Sequence, residues 1–425
     1  IIAYDVCDAG GCYSDGSAAA VQQAIINGVD VINYSISGGQ SPYSDPVELA
    51  FLEAFDAGIF VAASAGNLKT GEPTTDGMVN HLSPWVMTVA ASSHNRKFTN
   101  DIDVVSPAGS IYVDMAQIPG TGPVPFPALD DVELKWAGDD TSSSTDPYKD
   151  NRQGCNAFPD NFFDGDVALI RRGVCNFAIK VNNAAAAGAI GVLVYADNRP
   201  PISMGGLEAT TIPAGFLYLS PVDAAAFADY VDLNAPVLID MTATGRYIND
   251  DWGDIKADFS YRGPGANNFE VLKPEITAPG LEILAGVADG VIDDDGLVQA
   301  ELYQGTSMSS PHTAGAGALI KALHPDWSAA EIKSAIMLTA KNTDLLKEDM
   351  DTPADAFDFG SGRVNLTLAG LTGLVMDETY DNFVAADPAA GGDPKELNVA
   401  SLQNNACVGE CSWTRTFTSV AGVPA

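Results

Sequence analysis

The sequence predicts an α/β fold, a parallel sheet flanked by helices, interrupted by one α+β insert and followed by the start of a β-rich C-terminal domain. Three observations carry this. First, apolar, β-branched runs at 29–36, 59–63 and 85–91 alternate with helical patterns at 17–27 and 46–57. Continuous apolar strands between amphipathic helices are strands buried on both faces, the signature of a parallel sheet. The opening run at 1–6 reads as a further strand. Second, the rhythm breaks near residue 112, enters a Pro-rich stretch at 118–127, and continues as a separate set: strands at 168–171, 190–195 and 213–219 and an Ala-rich helix at 177–187. Strands at 259–261 and 283–287 then resume the first pattern, with helices at 307–323 and 328–339. Third, short alternating segments such as 414–418 follow residue 371. The resulting organisation is 1–111 and 245–370 as two parts of one domain, 112–244 as a domain inserted into it, and 371–425 as the start of a β-rich domain.

Composition narrows the function. The 425 residues are 46% apolar and 18% charged, enough for two or three compact domains. The formal charge of −35 would repel phosphate backbones and anionic headgroups, which argues against nucleic-acid or membrane-surface partners. It suits a secreted or salt-adapted surface, or carboxylate clusters that hold calcium. No apolar run reaches the roughly 18 residues of a membrane span. The chain opens on Ile1-Ile2-Ala3-Tyr4, without the basic start of a signal peptide, as though cut from something longer. Six cysteines fall into local pairs, Cys7 with Cys12, Cys155 with Cys175 and Cys407 with Cys411. Pairs without nearby histidines favour disulfides and an oxidising compartment over zinc, with buried thiols as the alternative.

The segment Gly305-Thr306-Ser307-Met308-Ser309-Ser310-Pro311-His312 leads directly into a helix of small residues. A serine on a helix's first turn sits beside unpaired N–H groups and the positive end of the dipole, where an oxyanion is stabilised. Ser307 is therefore a candidate nucleophile; an N-cap serine is the alternative. Phe60-Val61-Ala62-Ala63-Ser64-Ala65-Gly66-Asn67 is a buried strand ending in small residues, from which the Asn67 amide can donate to the same oxyanion. The alternative is an ordinary turn asparagine. Val31-Ile32-Asn33-Tyr34-Ser35-Ile36-Ser37-Gly38-Gly39 is a strand whose exposed backbone could pair with an extended peptide, or else a strand running into a Gly turn.

Together these segments resemble the subtilisin-like serine peptidases, the subtilases, over residues 1 to about 370 and in family order. Residues 305–311 are similar to the nucleophile motif, 64–67 to the oxyanion-asparagine motif and 32–39 to the substrate-binding strand. Lys273-Pro274-Glu275-Ile276-Thr277-Ala278-Pro279-Gly280 and 357–365 resemble further family segments. Residues 166–197 resemble the protease-associated domain inserted in many subtilases, and the region after 371 is similar to a fibronectin-III-like domain. The resemblance implies a secreted endopeptidase acting on protein or peptide substrates through an acyl-enzyme on Ser307. Its oxyanion would rest on Asn67 and the Ser307 N–H. Main-chain atoms of Ser35, Ile36, Ser37 and Gly38 would hold the substrate, and Ala65 and Gly66 would floor a roomy, apolar first side-chain pocket. No cofactor is required. Calcium is common in the family, and Asp289, Asp293, Asp294 and Asp295 with Gly290 and Gly296 form either a calcium loop or a solvated acidic one.

The sequence departs from the family at the base. A serine hydroxyl is a weak nucleophile until a histidine takes its proton, and an aspartate orients that histidine. Both should precede Asn67, yet the histidines are His81, His94, His312 and His324, and there is no His-Gly-x-His. His312 reads as a packed core residue, His324 as a helix-end residue, and His81 and His94 as loop residues. Asp8-Ala9-Gly10 imitates the family's aspartate motif but runs on to the substrate strand with no histidine between. The chain by itself is expected to keep the oxyanion site and hydrolyse almost nothing. The alternative is a non-catalytic peptide- or protein-binding module acting through the insert. An unrelated serine hydrolase is disfavoured, since no Gly-x-Ser-x-Gly elbow occurs.

Overall fold

The computed structural model describes residues 1–8, 10–69, 71–143, 148–266, 269–286 and 300–421. They form two compact units: Ile1–His94 with Gly253–Lys347 and Pro353–Ala425, and Asn95–Trp252 with Glu348–Thr352. No helix among the described residues is long and apolar enough to cross a membrane.

The first unit is built on a parallel sheet in the order Ile276–Pro279, Met87–Ser92, Phe60–Ser64, Val31–Tyr34. Phe60–Ser64 and Met87–Ser92 are buried at every position, as β-branched and Ala-rich runs must be between helical layers. Val31–Tyr34 is an edge strand and only partly buried, so its outer backbone edge stays available. Helix Pro46–Asp56 begins where Pro46 presets the first turn and the Asp45 carboxylate accepts from Val47 N and Glu48 N. Helix Thr306–Leu323 lies on the sheet, and Gly317 permits its approach, since a Cβ there would come within 2.4 Å of the Phe60 ring. Helix Ala329–Leu338 starts at a capping box formed by Ser328 and Glu331.

Beneath these elements Glu275 is buried between two lysines, with Oε2 2.8 Å from Lys273 Nζ and 2.7 Å from Thr88 N, and Oε1 bonded to Lys333. Burial pushes the Lys273 ammonium down to about 8 against the pull of Glu275. Lys273 also donates to the carbonyls of Ser83 and Val86, so the charge is fully hydrogen-bonded.

Three expectations for this unit need correction. Residues 1–6 form no strand; they pair with no strand among the described residues and are mostly exposed, and the first pairing is the Cys7–Asp8/Gly11–Cys12 hairpin. Residues 259–261 make only a single bridge, Ser260 to Asn67, because the chain turns there. Among described residues, 371–421 holds helix Tyr380–Ala385 and one two-residue pairing, Leu374–Val375 with Thr418–Ser419, and no strand at 414–417. Phe383 fixes this segment by packing at 5.0 Å from Phe55 and 5.7 Å from Trp85.

The second unit is an eight-stranded sheet in the order Val237–Met241, Leu129–Trp136, Val167–Arg171, Gly191–Tyr195, Ala214–Leu217, Met115–Pro119, Arg96–Ser106, Gly245–Ile248. Val237–Met241 also pairs with Arg96–Ser106, which closes the sheet into a barrel. Helices Phe177–Ala186 and Pro221–Asn234 contribute Val181, Phe227 and Val231 to its core. The unit begins at Asn95, so the sequence boundary at 112 falls within it.

The structure contains disulfides Cys7–Cys12, Cys155–Cys175 and Cys407–Cys411. Cys155–Cys175 closes the widest interval, 20 residues. Replacing both cysteines by alanine is expected to remove about 3 kcal/mol of stability by relaxing the unfolded chain. A urea titration checks this; an unchanged midpoint would contradict it.

Candidate active site

Ser307 is the second residue of helix Thr306–Leu323 and is half-buried. Gly305 precedes the helix at φ 153°, with its N–H donating to Gly280 O at 2.8 Å. Gly280 must itself be glycine, because a Cβ there would lie 2.2 Å from Ser309 Oγ and 2.8 Å from Gly305 O. The end of strand Ile276–Pro279 thus seats the loop that delivers the serine. At the helix start Thr306 N donates to Asn67 Oδ1 at 2.9 Å and Met308 N to Gly305 O at 3.0 Å. Ser307 N, between them, has no acceptor among the described residues, the usual state of a first-turn N–H.

Asn67 reaches this helix from the end of strand Phe60–Ser64. Gly66 makes the turn at φ 96°, and a Cβ there would lie 1.9 Å from Asn80 Nδ2 and 2.4 Å from the Tyr261 ring. The Gly66 N–H donates to Thr306 Oγ1 at 3.1 Å, and Asn67 Oδ1 accepts from Thr306 Oγ1 at 2.8 Å as well as from its N–H. With the amide oxygen committed, Nδ2 is the donor end. The position a Cβ on Gly305 would occupy is 3.5 Å from Asn67 Nδ2 and 3.6 Å from Ser307 N. The same position is 3.5 Å from Met308 Sδ, so the Asn67 amide nitrogen, the Ser307 N–H and a methionine sulfur border one small space at the helix start, two of the three being donors of the kind an oxyanion uses.

The third element is the chain leaving strand Val31–Tyr34. Ser307 Oγ donates to Ser35 O at 3.2 Å, and Ser35 Oγ donates to Ser307 O at 2.9 Å. Pro311 explains the second bond: lacking an N–H, it cannot donate to Ser307 O four residues back, and Ser35 fills that place. Ser310 Oγ adds a bond to Asn33 Oδ1 at 2.8 Å. Ile36 and Gly38 are half-buried, Ser37 is exposed, and Ala65 is fully buried with Val79 and Leu82. Next to Gly66, Tyr261 Oη donates to Glu72 Oε2 at 2.5 Å; burial first, and Glu72 second, push the Tyr261 hydroxyl up to about 12.

None of the histidines is hydrogen-bonded to Ser307. His312 is exposed on the helix, Nδ1 2.8 Å from Met308 O, and is not the packed core residue its spacing suggested, because that helix face looks to solvent. His324 closes the helix, stacked on Trp327 at 3.9 Å. His94 Nε2 lies 3.4 Å from Glu282 O. His81 sits in a loop as expected, but is buried at 1% exposure and bonded to Glu48. Asp8 lies exposed on the first hairpin, accepting from Gly10 N at 2.7 Å. The acidic residues Asp289, Asp293, Asp294 and Asp295 lie outside the described residues.

Sequence reasoning missed Thr306, which holds Asn67 through two bonds, the Asn33–Ser310 tie and the Glu48–His81 pair. Each joins side chains far apart in the chain. The only signal was a hydroxyl or carboxylate within an otherwise apolar element.

The profile of the subtilase family matches residues 1–362. The chain is 31% identical over 421 residues to the subtilisin-like protease SBT1.3 of Arabidopsis thaliana, covering 95% of this chain and 52% of that protein. It is 30% identical over 433 residues to the subtilisin-like protease Glyma18g48580 of Glycine max, covering 95% and 53%. Among solved structures, the psychrophilic subtilisin-like protease Apa1 of the Antarctic psychrotroph Pseudoalteromonas sp. AS-11 aligns with a TM-score of 0.42 and 17% identity, covering 86% of this chain and 76% of that one. The chain belongs to the subtilase family. It spans about half the length of the curated relatives it matches.

Proposed function

We propose that this chain is the nucleophile-bearing part of a secreted serine endopeptidase, with a protease-associated insert in the unit Asn95–Trp252. Ser307 Oγ attacks the scissile carbonyl, and the carbonyl oxygen, turning anionic, rests between Asn67 Nδ2 and Ser307 N. Main-chain atoms from Ser35 to Gly38 hold the substrate as an added strand, and the backbone at Ala65 and Gly66 bounds the first side-chain pocket. The proton goes to a histidine oriented by an aspartate, both outside these 425 residues, so the chain alone hydrolyses almost nothing. The observation that carries this reading is that Thr306 N holds Asn67 Oδ1 at 2.9 Å, which leaves Asn67 Nδ2 and Ser307 N 3.5 and 3.6 Å from the small space a Cβ at 305 would fill, with Met308 Sδ on its other side at 3.5 Å.

An arylsulfonyl fluoride tests it on the full-length protein. Casein cleavage should stop as the reagent attaches to Ser307, located by peptide mass mapping. Attachment at another serine, or cleavage that persists after Ser307 is modified, refutes the reading. A second reading, a non-catalytic binding module acting through the insert, draws on the absence of any histidine bonded to Ser307 among the described residues. It requires a full-length protein that neither cleaves casein nor reacts with the fluoride.

A further inference from the structure

The Glu48–His81 pair lies outside the proposed catalytic machinery, yet it grips the segment that would hold the substrate. His81 Nδ1 is 2.6 Å from Glu48 Oε1, and its Nε2 is 2.7 Å from Ile36 O. A carbonyl oxygen only accepts, so Nε2 carries the hydrogen in that bond. The His81 backbone repeats the contact: its N–H donates to Gly38 O at 2.9 Å, and Leu82 N donates to Gly39 O at 2.9 Å. One residue earlier, Asn80 N donates to Ala65 O at 2.9 Å. Three consecutive residues thus tie together Ala65 and the Gly38–Gly39 backbone. Gly39 presses on the pair so closely that a Cβ there would lie 2.3 Å from Glu48 Oε1 and 2.8 Å from His81 Nδ1.

Glu48 is anchored in turn. Its other carboxylate oxygen accepts from Ser83 Oγ, its carbonyl accepts from Trp85 Nε1 at 2.8 Å, and its exposure is 0%. A buried acid–base pair that shares a proton costs desolvation that apolar side chains of similar volume would avoid, and what it supplies is a fixed geometry. The geometry fixed here is that of residues 36–39. The Ser35 carbonyl faces Ser307 Oγ and the next one, Ile36, is held by His81, so the segment is gripped from two directions and its backbone is set in place before any ligand arrives.

Resting on the peptidase reading above, we infer that Glu48 and His81 are positioning residues for extended substrates: they hold the 36–39 backbone in register for peptide residues beyond the first pocket. The test compares, in the full-length protein, a tetrapeptide p-nitroanilide ending in phenylalanine with the ethyl ester of N-acetylphenylalanine, which does not extend along the segment. His81→Phe keeps the ring volume and removes the donor to Ile36 O; His81→Gln retains an N–H able to reach it. The tetrapeptide-to-ester ratio of kcat/KM should fall about tenfold in H81F, mainly through KM, the scale of one well-placed hydrogen bond. In H81Q it should recover to within about twofold of wild type. If thermal melts show that H81F does not fold, Glu48→Gln carries the test with an expected drop of about threefold. An unchanged ratio, or equal loss on both substrates in H81F and H81Q, overturns the inference while leaving the peptidase reading intact. A wild-type protein that cleaves neither substrate overturns both.

Discussion

Replacing Ser307 by alanine in the full-length protein is expected to lower kcat for a peptide substrate by about 10⁶-fold, the scale known for loss of the nucleophile in subtilisin itself. No neighbouring hydroxyl can take over. Ser309 Oγ is buried and faces the Gly280 backbone, and Ser310 Oγ is committed to Asn33 at 2.8 Å. Folding should be little affected, since the Ser307 side chain contributes one half-buried bond of 3.2 Å to Ser35 O. A thermal melt within about 2 °C of wild type, beside an abolished burst of acyl-enzyme, is the expected pair of results. Casein cleavage within tenfold of wild type would refute the assignment of the nucleophile.

The core of the first unit is legible because its determinants are local. Phe60–Ser64 and Met87–Ser92 announce themselves by continuous apolar runs, and helix Pro46–Asp56 by Asp45 and Pro46 at its start. The same rule misled at residues 1–6, where an apolar run has no neighbouring strand to join. Apolar pattern shows what can be buried, not whether a partner exists to bury it. Closure of the second unit is hidden for the opposite reason. Strand Arg96–Ser106 carries Arg96, Lys97, Asp101 and Asp103, and looks like a polar loop. Its place in the barrel depends on pairing Val104 with Ile239 and Ile102 with Met241, contacts that no local window contains.

The candidate site divides the same way. A helix N-terminus with a serine on its first turn is contiguous in sequence, so Ser307 could be named; Asn67, three residues past the end of strand Phe60–Ser64, likewise. Their convergence depends on Thr306, which receives the Gly66 N–H and gives two bonds to Asn67 across 239 positions. His81 is a loop residue, as its sequence suggests, but its burial is hidden because its partner, Glu48, lies 33 residues back on a helix whose other polar positions look to solvent. Buried polar pairs of this kind are invisible to hydrophobic periodicity, which treats each charge as a mark of the surface.

In the proposed mechanism Asn67 has two tasks on two different atoms, and substitutions separate them. Asn67→Ala removes both the Nδ2 donor and the Oδ1 acceptor of Thr306; kcat should fall about 10²- to 10³-fold with KM nearly constant, the mark of an interaction made in the transition state. The same change leaves Thr306 N–H without its partner at 2.9 Å and should cost about 1 kcal/mol of stability. Asn67→Asp retains an oxygen for Thr306 and so keeps the helix start in place, but it replaces the donor with a negative charge facing the developing oxyanion. Its kcat should fall at least as far as that of N67A while its melting temperature stays nearer wild type. If N67D were instead the more active of the two, the asparagine would matter as the clasp on Thr306 rather than as the donor to the oxyanion. The small space beside Ser307 would then have to be served by the Ser307 N–H alone.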